Sequence, residues 1–203
     1  MSNNEIEFKE LFTPGILETT LPSDVYDPVL KEINKIEKNA TGYDPVNHNL
    51  AGHIKREYEL QESYDVLGPY LEYLGHQYVT HYKMPGNPHP QVNALWCNFQ
   101  SKCEINPVHN HSGILSFAIW MKIPYNHHDE QERDECAMSE CKSHASSFQF
   151  IYNDIVGNAR NHTINVTKGW EGKMVMFPAT LLHTVYPFYT SDDYRVSIAG
   201  NLV

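Results

Sequence analysis

Residues 107–122 read Pro107-Val108-His109-Asn110-His111-Ser112-Gly113-Ile114-Leu115-Ser116-Phe117-Ala118-Ile119-Trp120-Met121-Lys122. From Ile114 to Lys122 the residues are mostly apolar, with aromatic and β-branched members, which predicts a strand. Ahead of it, Pro107 and Gly113 bracket two histidines with turn chemistry and set them at the mouth of a sheet. In extended backbone alternate side chains face the same way, so His109 and His111 project together. A neutral imidazole offers a lone pair to Fe, Zn, Cu or Ni, and two such rings can share one ion. The chain holds twelve histidines, so a His-x-His pair also arises by chance. Taken alone, a pair satisfied by hydrogen bonds explains it equally well.

Outward from this stretch the strand signal continues. Val92–Asn98, Ser147–Tyr152, Thr163–Val166, Lys173–Pro178 and Tyr194–Asn201 carry β-branched or aromatic residues and end at turn formers. Upstream of the breakers Pro85-Gly86-Asn87-Pro88 the pattern is helical. Val25, Val29, Leu30, Ile33 and Ile36 recur at helical spacing, which predicts a helix from Asp24 to about Asn39 with Ser23 as its N-cap. A second helix is expected over 63–81, interrupted or kinked at Gly68-Pro69. Short apolar pieces in 6–22 suit an opening strand or two. Residues 41–62, with Gly42, Pro45 and Gly52, read as a loop, and the polar segment 126–144 as a surface loop or lid. Two helices followed by a run of strands predict an α+β, mainly β chain, with helices packed on a β-sandwich or barrel. One domain is expected: a helical support region at 1–90 and a β core at 91–203.

Composition narrows the function classes. At 203 residues and 41% hydrophobic content the chain is long enough for one well-buried core. A formal charge of −10 disfavours nucleic acid as a partner, since phosphate binding rests on Lys and Arg. No apolar run approaches the roughly 18 residues that span a bilayer, and the polar start Met1-Ser2-Asn3-Asn4-Glu5 is unlike a secretory leader. The expected location is the cytoplasm, or the host cytoplasm for a viral protein. Cys97, Cys103, Cys136 and Cys141 are then expected as free thiols.

Two positions near the C-terminus extend the histidine pair. His183 follows the apolar strand Met174-Val175-Met176-Phe177-Pro178, and Arg195 lies in the otherwise apolar Tyr194-Arg195-Val196-Ser197-Ile198-Ala199. An arginine in such a strand implies an anionic partner, because its planar fork matches a carboxylate. The alternatives are an outward-facing edge arginine, or one paired with Asp192, Asp193 or Glu171. Alternation puts Ser197 on the same face as Arg195.

The ordered set Trp96-Cys97-Asn98, His109-Asn110-His111, Phe177-Pro178 with His183, and Arg195-Val196-Ser197 through Asn201 resembles the iron- and 2-oxoglutarate-dependent oxygenases. More narrowly, it is similar to the small members of that superfamily from marine phages and bacteria. The likeness spans roughly residues 92–201, with a weaker match at Phe12-Thr13-Pro14. It implies a double-stranded β-helix, a cupin-like jelly roll with N-terminal helices on its outer face, and Fe(II) bound at one open end. It also implies His109, His111 and His183 as metal ligands and catalytic residues, with Arg195, Ser197 and Asn98 as the 2-oxoglutarate contacts. One residue departs from the pattern: most members carry Asp or Glu where this chain has His111. The resemblance implies dioxygen as co-reactant and hydroxylation of a substrate, a small molecule or a peptide, with release of succinate and carbon dioxide. A homodimer is left open.

Three other readings stand beside it. A cupin-like protein could hold Zn or Ni on three histidines with no 2-oxoglutarate turnover. His127, His128, Cys136, Cys141 and His144 contain zinc-type ligands, although the Cys-x4-Cys spacing is outside the tight knuckles of zinc motifs. A catalytic cysteine at Cys97 or Cys103 lacks a local signature.

Overall fold

The computed structural model of the chain describes residues 13–47, 52–133 and 144–203. Ten strands and three α-helices are formed by these residues: β1 (Leu17–Thr20), α1 (Ser23–Lys38), β2 (Glu57–Glu59), α2 (Tyr64–His81), β3 (Val92–Gln100), β4 (Asn106–His109), β5 (Leu115–Lys122), α3 (His127–Gln131), β6 (Phe148–Asn153), β7 (Ala159–Ile164), β8 (Lys173–Pro178), β9 (Leu182–Val185) and β10 (Arg195–Leu202). All pairings are antiparallel. One sheet runs β1-β8-β5-β10-β3-β2 and the other β4-β9-β6-β7.

The large sheet is covered on both faces, which explains why β5 reads as an unbroken apolar run. Its Phe117, Ile119 and Met121 join Val29, Ile33 and Ile36 of α1 and Leu67 and Leu71 of α2 in one hydrophobic cluster. Ala118 and Trp120 of the same strand join Phe148 and Phe150 of β6 and Val175 and Phe177 of β8 in a second cluster. Alternate residues of one strand therefore serve two cores.

Several boundaries move from their sequence-based positions. The region 41–62 contains β2, which extends the large sheet by pairing with β3 and places Glu57 opposite Asn98. Helix α1 begins at Ser23 with Pro22 as its N-cap, and no side chain caps it. Helix α2 runs through Gly68-Pro69 as one element. Pro69 sits in its second turn, so one i→i−4 bond is absent near the N-terminal end while the helix continues to His81. The strand expected at Thr163–Val166 is β7, displaced toward the N-terminus because it pairs residue by residue with β6 from Phe148↔Ile164 to Asn153↔Ala159. Segment 126–144 opens with α3 rather than loop. Its Glu130 is fully buried and accepts from Tyr189 N, Thr190 N and Thr190 Oγ1, which pins the segment to the body. Residues 134–143, and the part of the opening-strand region 6–22 before Thr13, lie outside the described residues.

Candidate metal centre

The strands that matter for the site are β4, an edge of the small sheet, and its neighbour β9. They pair so that His109 lies directly opposite His183. His111 is two residues beyond the end of β4, held by its backbone N–H donating to Ala179 O at 2.8 Å. Gly113 then turns the chain with φ of 111°, and a Cβ there would meet Leu202 O at 2.7 Å, so only glycine fits between the pair and β5. Ring centroids lie 4.3 Å apart for His109–His183, 5.0 Å for His109–His111 and 5.2 Å for His111–His183. One ligating nitrogen from each falls within 4.8 Å of the others, and no carboxylate of the described residues joins the group.

The electrostatics suit a cation ligand set. Burial pushes the His183 imidazole down to about 3, with the neighbouring His109 adding to the effect, and pushes His111 down to about 4. Burial lowers His109 too, against the opposing pull of its bond to Pro107 O. All three rings are therefore neutral at pH 7 and keep a lone pair. His109 Nδ1 lies 2.6 Å from Pro107 O, and His183 Nδ1 lies 2.9 Å from Leu181 O. A carbonyl only accepts, so Nδ1 carries the proton on both rings and Nε2 is the free ligand atom. Phe148 stacks on His183 at 5.6 Å and Phe177 meets its edge at 4.9 Å, fixing a ring that is 4% exposed. The donor set fits a divalent transition ion.

A cavity of about 50 Å³ adjoins the three rings, and Asn98, Arg195 and Ser197 line it. All the residues that the sequence singled out for metal and cosubstrate thus border one space. Across β3 and β10, Asn98 faces Ser197 and Gln100 faces Arg195. Asn98 accepts from Trp96 Nε1 at 3.1 Å and donates to Ser197 Oγ at 3.4 Å.

Arg195 is 1% exposed and is neither an edge residue nor paired with Asp192, Asp193 or Glu171. Its Nε donates to Gln100 Oε1 at 2.9 Å, Nη1 to Tyr125 OH and Ser146 O, both at 2.9 Å, and Nη2 to Gln100 Oε1 and to Tyr186 O at 2.8 Å. Five neutral-acceptor bonds satisfy its donors, and no acid among the described residues balances its charge. A buried guanidinium without a counter-charge is costly. Its Gln100-facing edge presents the two donors that a carboxylate would take bidentately.

Sequence reasoning missed Glu57, Asn106 and Gln100, which line the same cavity. Glu57 was hidden by the reading of 41–62 as a loop. The alternation Glu57-Tyr58-Glu59 is its only sequence signal and is short. The rival zinc cluster is not assembled by its described members: His127 Nδ1 contacts Ser146 Oγ, His128 pairs with Glu132, and His144 packs on Tyr186. Cys136 and Cys141 lie outside the described residues. Cys97 and Cys103 are free thiols, and burial raises Cys97 to about 12, which removes it as a nucleophile.

The class of protein follows from comparison. Residues 94–201, more than half of the chain, match the model of a family described as "Putative 2OG-Fe(II) oxygenase". The chain belongs to this 2OG-Fe(II) oxygenase family; it is an oxidoreductase whose cofactors are Fe(II) and 2-oxoglutarate. Among solved structures, it is similar to a prolyl-4-hydroxylase of Pseudomonas putida, at 14% identity over 94% of this chain and 92% of that one, with a TM-score of 0.56. It is also similar to AviO1 of Streptomyces viridochromogenes Tue57, at 12% identity over 93% and 89%, TM-score 0.55. A prolyl hydroxylase of Trichoplax adhaerens, solved with a hypoxia inducible factor oxygen degradation domain peptide fragment, aligns at 10% identity over 92% and 82%, TM-score 0.54. At these identities the likeness is one of fold. No curated protein matches the chain. No helix among the described residues is long and apolar enough to cross a membrane.

Proposed function

We propose that His109, His111 and His183 hold Fe(II), that Arg195, Ser197 and Asn98 bind 2-oxoglutarate, and that the protein hydroxylates a substrate. The observation that carries this reading is the convergence of three neutral imidazoles within 4.8 Å beside a buried, acid-free arginine. When bound, Fe(II) with 2-oxoglutarate and dioxygen supplies the oxidising chemistry, which ends in hydroxylated product, succinate and carbon dioxide. The chain's own residues bind and orient. The carbonyls of Pro107 and Leu181 hold two rings in the ligating tautomer, and Phe148 and Phe177 exclude water from His183. Arg195 exchanges Gln100 for a carboxylate, with the Ser197 hydroxyl beside it. In this reading the two sheets form a double-stranded β-helix, α1 and α2 support it from outside, and 1–203 is a single domain. Dioxygen and a small molecule or peptide are its partners.

Oxygen-dependent formation of succinate from 2-oxoglutarate by the Fe(II)-loaded protein tests the proposal. Arg195→Ala is expected to raise the 2-oxoglutarate requirement while sparing metal, and His183→Ala to remove both metal and turnover. One observation favours a second reading. The five neutral bonds of Arg195 are what a purely structural arginine would make, as in a cupin-like metal protein without turnover. Stoichiometric metal with no succinate would select it.

A further inference from the structure

Three carboxylates are buried in the described body of this protein, and two of them are fully partnered. Glu32, 1% exposed, accepts from Gln61 N and Glu62 N at 2.8 Å, from Ser63 N at 2.7 Å and from Ser63 Oγ. Glu130 accepts from Tyr189 and Thr190. Glu57 is the exception. It is 1% exposed, its Oε1 has no hydrogen-bond partner, and its Oε2 receives only Asn47 Nδ2 at 3.4 Å. The other buried side-chain oxygen without a donor among the described residues is Asn106 Oδ1. Both residues line the cavity beside the three histidines.

A buried acceptor left without a donor is costly, and more so when it is charged. Nearby cations do not relieve it. Arg195 spends its donors on Gln100, Tyr125, Ser146 and Tyr186. Arg56 turns to the carbonyls of Ile36 and Glu37 and lies over the Phe99 and Tyr194 rings. Burial, with Glu104 adding to it, pushes the Glu57 carboxyl up to about 7. Strand β2 holds Glu57 in the sheet opposite Asn98, so the side chain is fixed beside the proposed cosubstrate contacts.

We infer that Glu57 and Asn106 form the pole that recognises a cationic nitrogen, a primary ammonium or a guanidinium, on the substrate of the metal-centred pocket. The inference rests on the oxygenase reading for the identity of the pocket. A cationic nitrogen supplies several N–H donors to two waiting oxygens and the counter-charge that Glu57 lacks. Arg195, which lines the same cavity, takes the anionic partner, so the two ligands are sorted by charge.

The test uses protein loaded anaerobically with Fe(II) and 2-oxoglutarate, titrated calorimetrically with n-butylammonium, methylguanidinium, and the neutral n-butanol and methylurea. The expected result is that one cation binds about tenfold tighter than its neutral counterpart, and that Glu57→Gln removes the difference. The cation that shows the preference distinguishes ammonium from guanidinium, and Asn106→Leu weakens the same probe. Iron retention in Glu57→Gln is expected to match wild type, and Glu57→Asp to keep part of the preference. Equal binding of cations and neutrals, absence of binding by every probe, or loss of iron in Glu57→Gln overturns the inference; the last would make the carboxylate the charge partner of the metal. The heats are read without turnover, so missing succinate formation counts against the oxygenase reading alone.

Discussion

His183 does two jobs with one ring, and each predicts a measurable loss. It contributes Nε2 to the histidine cluster and fills space between Phe148 and Phe177. His183→Ala is expected to abolish stoichiometric metal and, through the cavity left, to cost about 2–4 kcal/mol in denaturant unfolding. The histidines also set a pH dependence in metal-free protein. An unfolded histidine takes its proton near pH 6.5, whereas folded His111 and His183 refuse it until about 4 and about 3. Stability is therefore full above pH 6.5 and is lost as pH falls through that window. Glu57 has the opposite sign. Its folded carboxyl holds a proton to about 7 but its unfolded one only to 4.5, so its contribution is present below pH 4.5 and lost as pH rises through about 7. Glu57→Gln, which cannot ionise, is expected to gain stability over wild type at pH 8 and not at pH 4.5, read from urea midpoints.

Among the elements, the junction of α1 and α2 is set by one acid. Glu32 of α1 binds the backbone N–H groups of Gln61, Glu62 and Ser63, the residues leading into α2. Glu32→Ala leaves the buried Ser63 N–H without its acceptor and is expected to cost about 1–3 kcal/mol by thermal or denaturant unfolding. It should leave the histidine cluster, on the other face of the large sheet, intact. The long strands and both long helices were legible in the sequence because apolar periodicity or continuity over many residues reports burial directly. Strands β2, β4 and β9, three or four residues each, were not. Their positions come from pairing with partners distant in sequence, and so short a run carries no period. The consequences fell on the site. His109, His111, His183 and Arg195 stand out in the sequence because their side-chain chemistry is conspicuous, while Glu57 on β2 does not, and the Gln100 and Asn106 side chains carry no signal outside their three-dimensional neighbours.

For the whole molecule, the metal would be a clamp between segments far apart in sequence, joining β4, the turn after it and β9. Binding to the folded form alone stabilises by mass action, about 2.7 kcal/mol when free metal is a hundredfold above its dissociation constant. Adding Fe(II) anaerobically is expected to raise the melting temperature of wild type and leave that of His109→Ala unchanged. The proposed function places metal on three neutral histidines and 2-oxoglutarate on Arg195 in one pocket. Its most direct test is the visible absorption of protein reconstituted with Fe(II) without oxygen, before and after 2-oxoglutarate is added. A metal-to-ligand charge-transfer band that appears in wild type, saturates with 2-oxoglutarate, is lost in His183→Ala and needs far more cosubstrate in Arg195→Ala is the predicted result. Full iron binding with no band at saturating 2-oxoglutarate would contradict it.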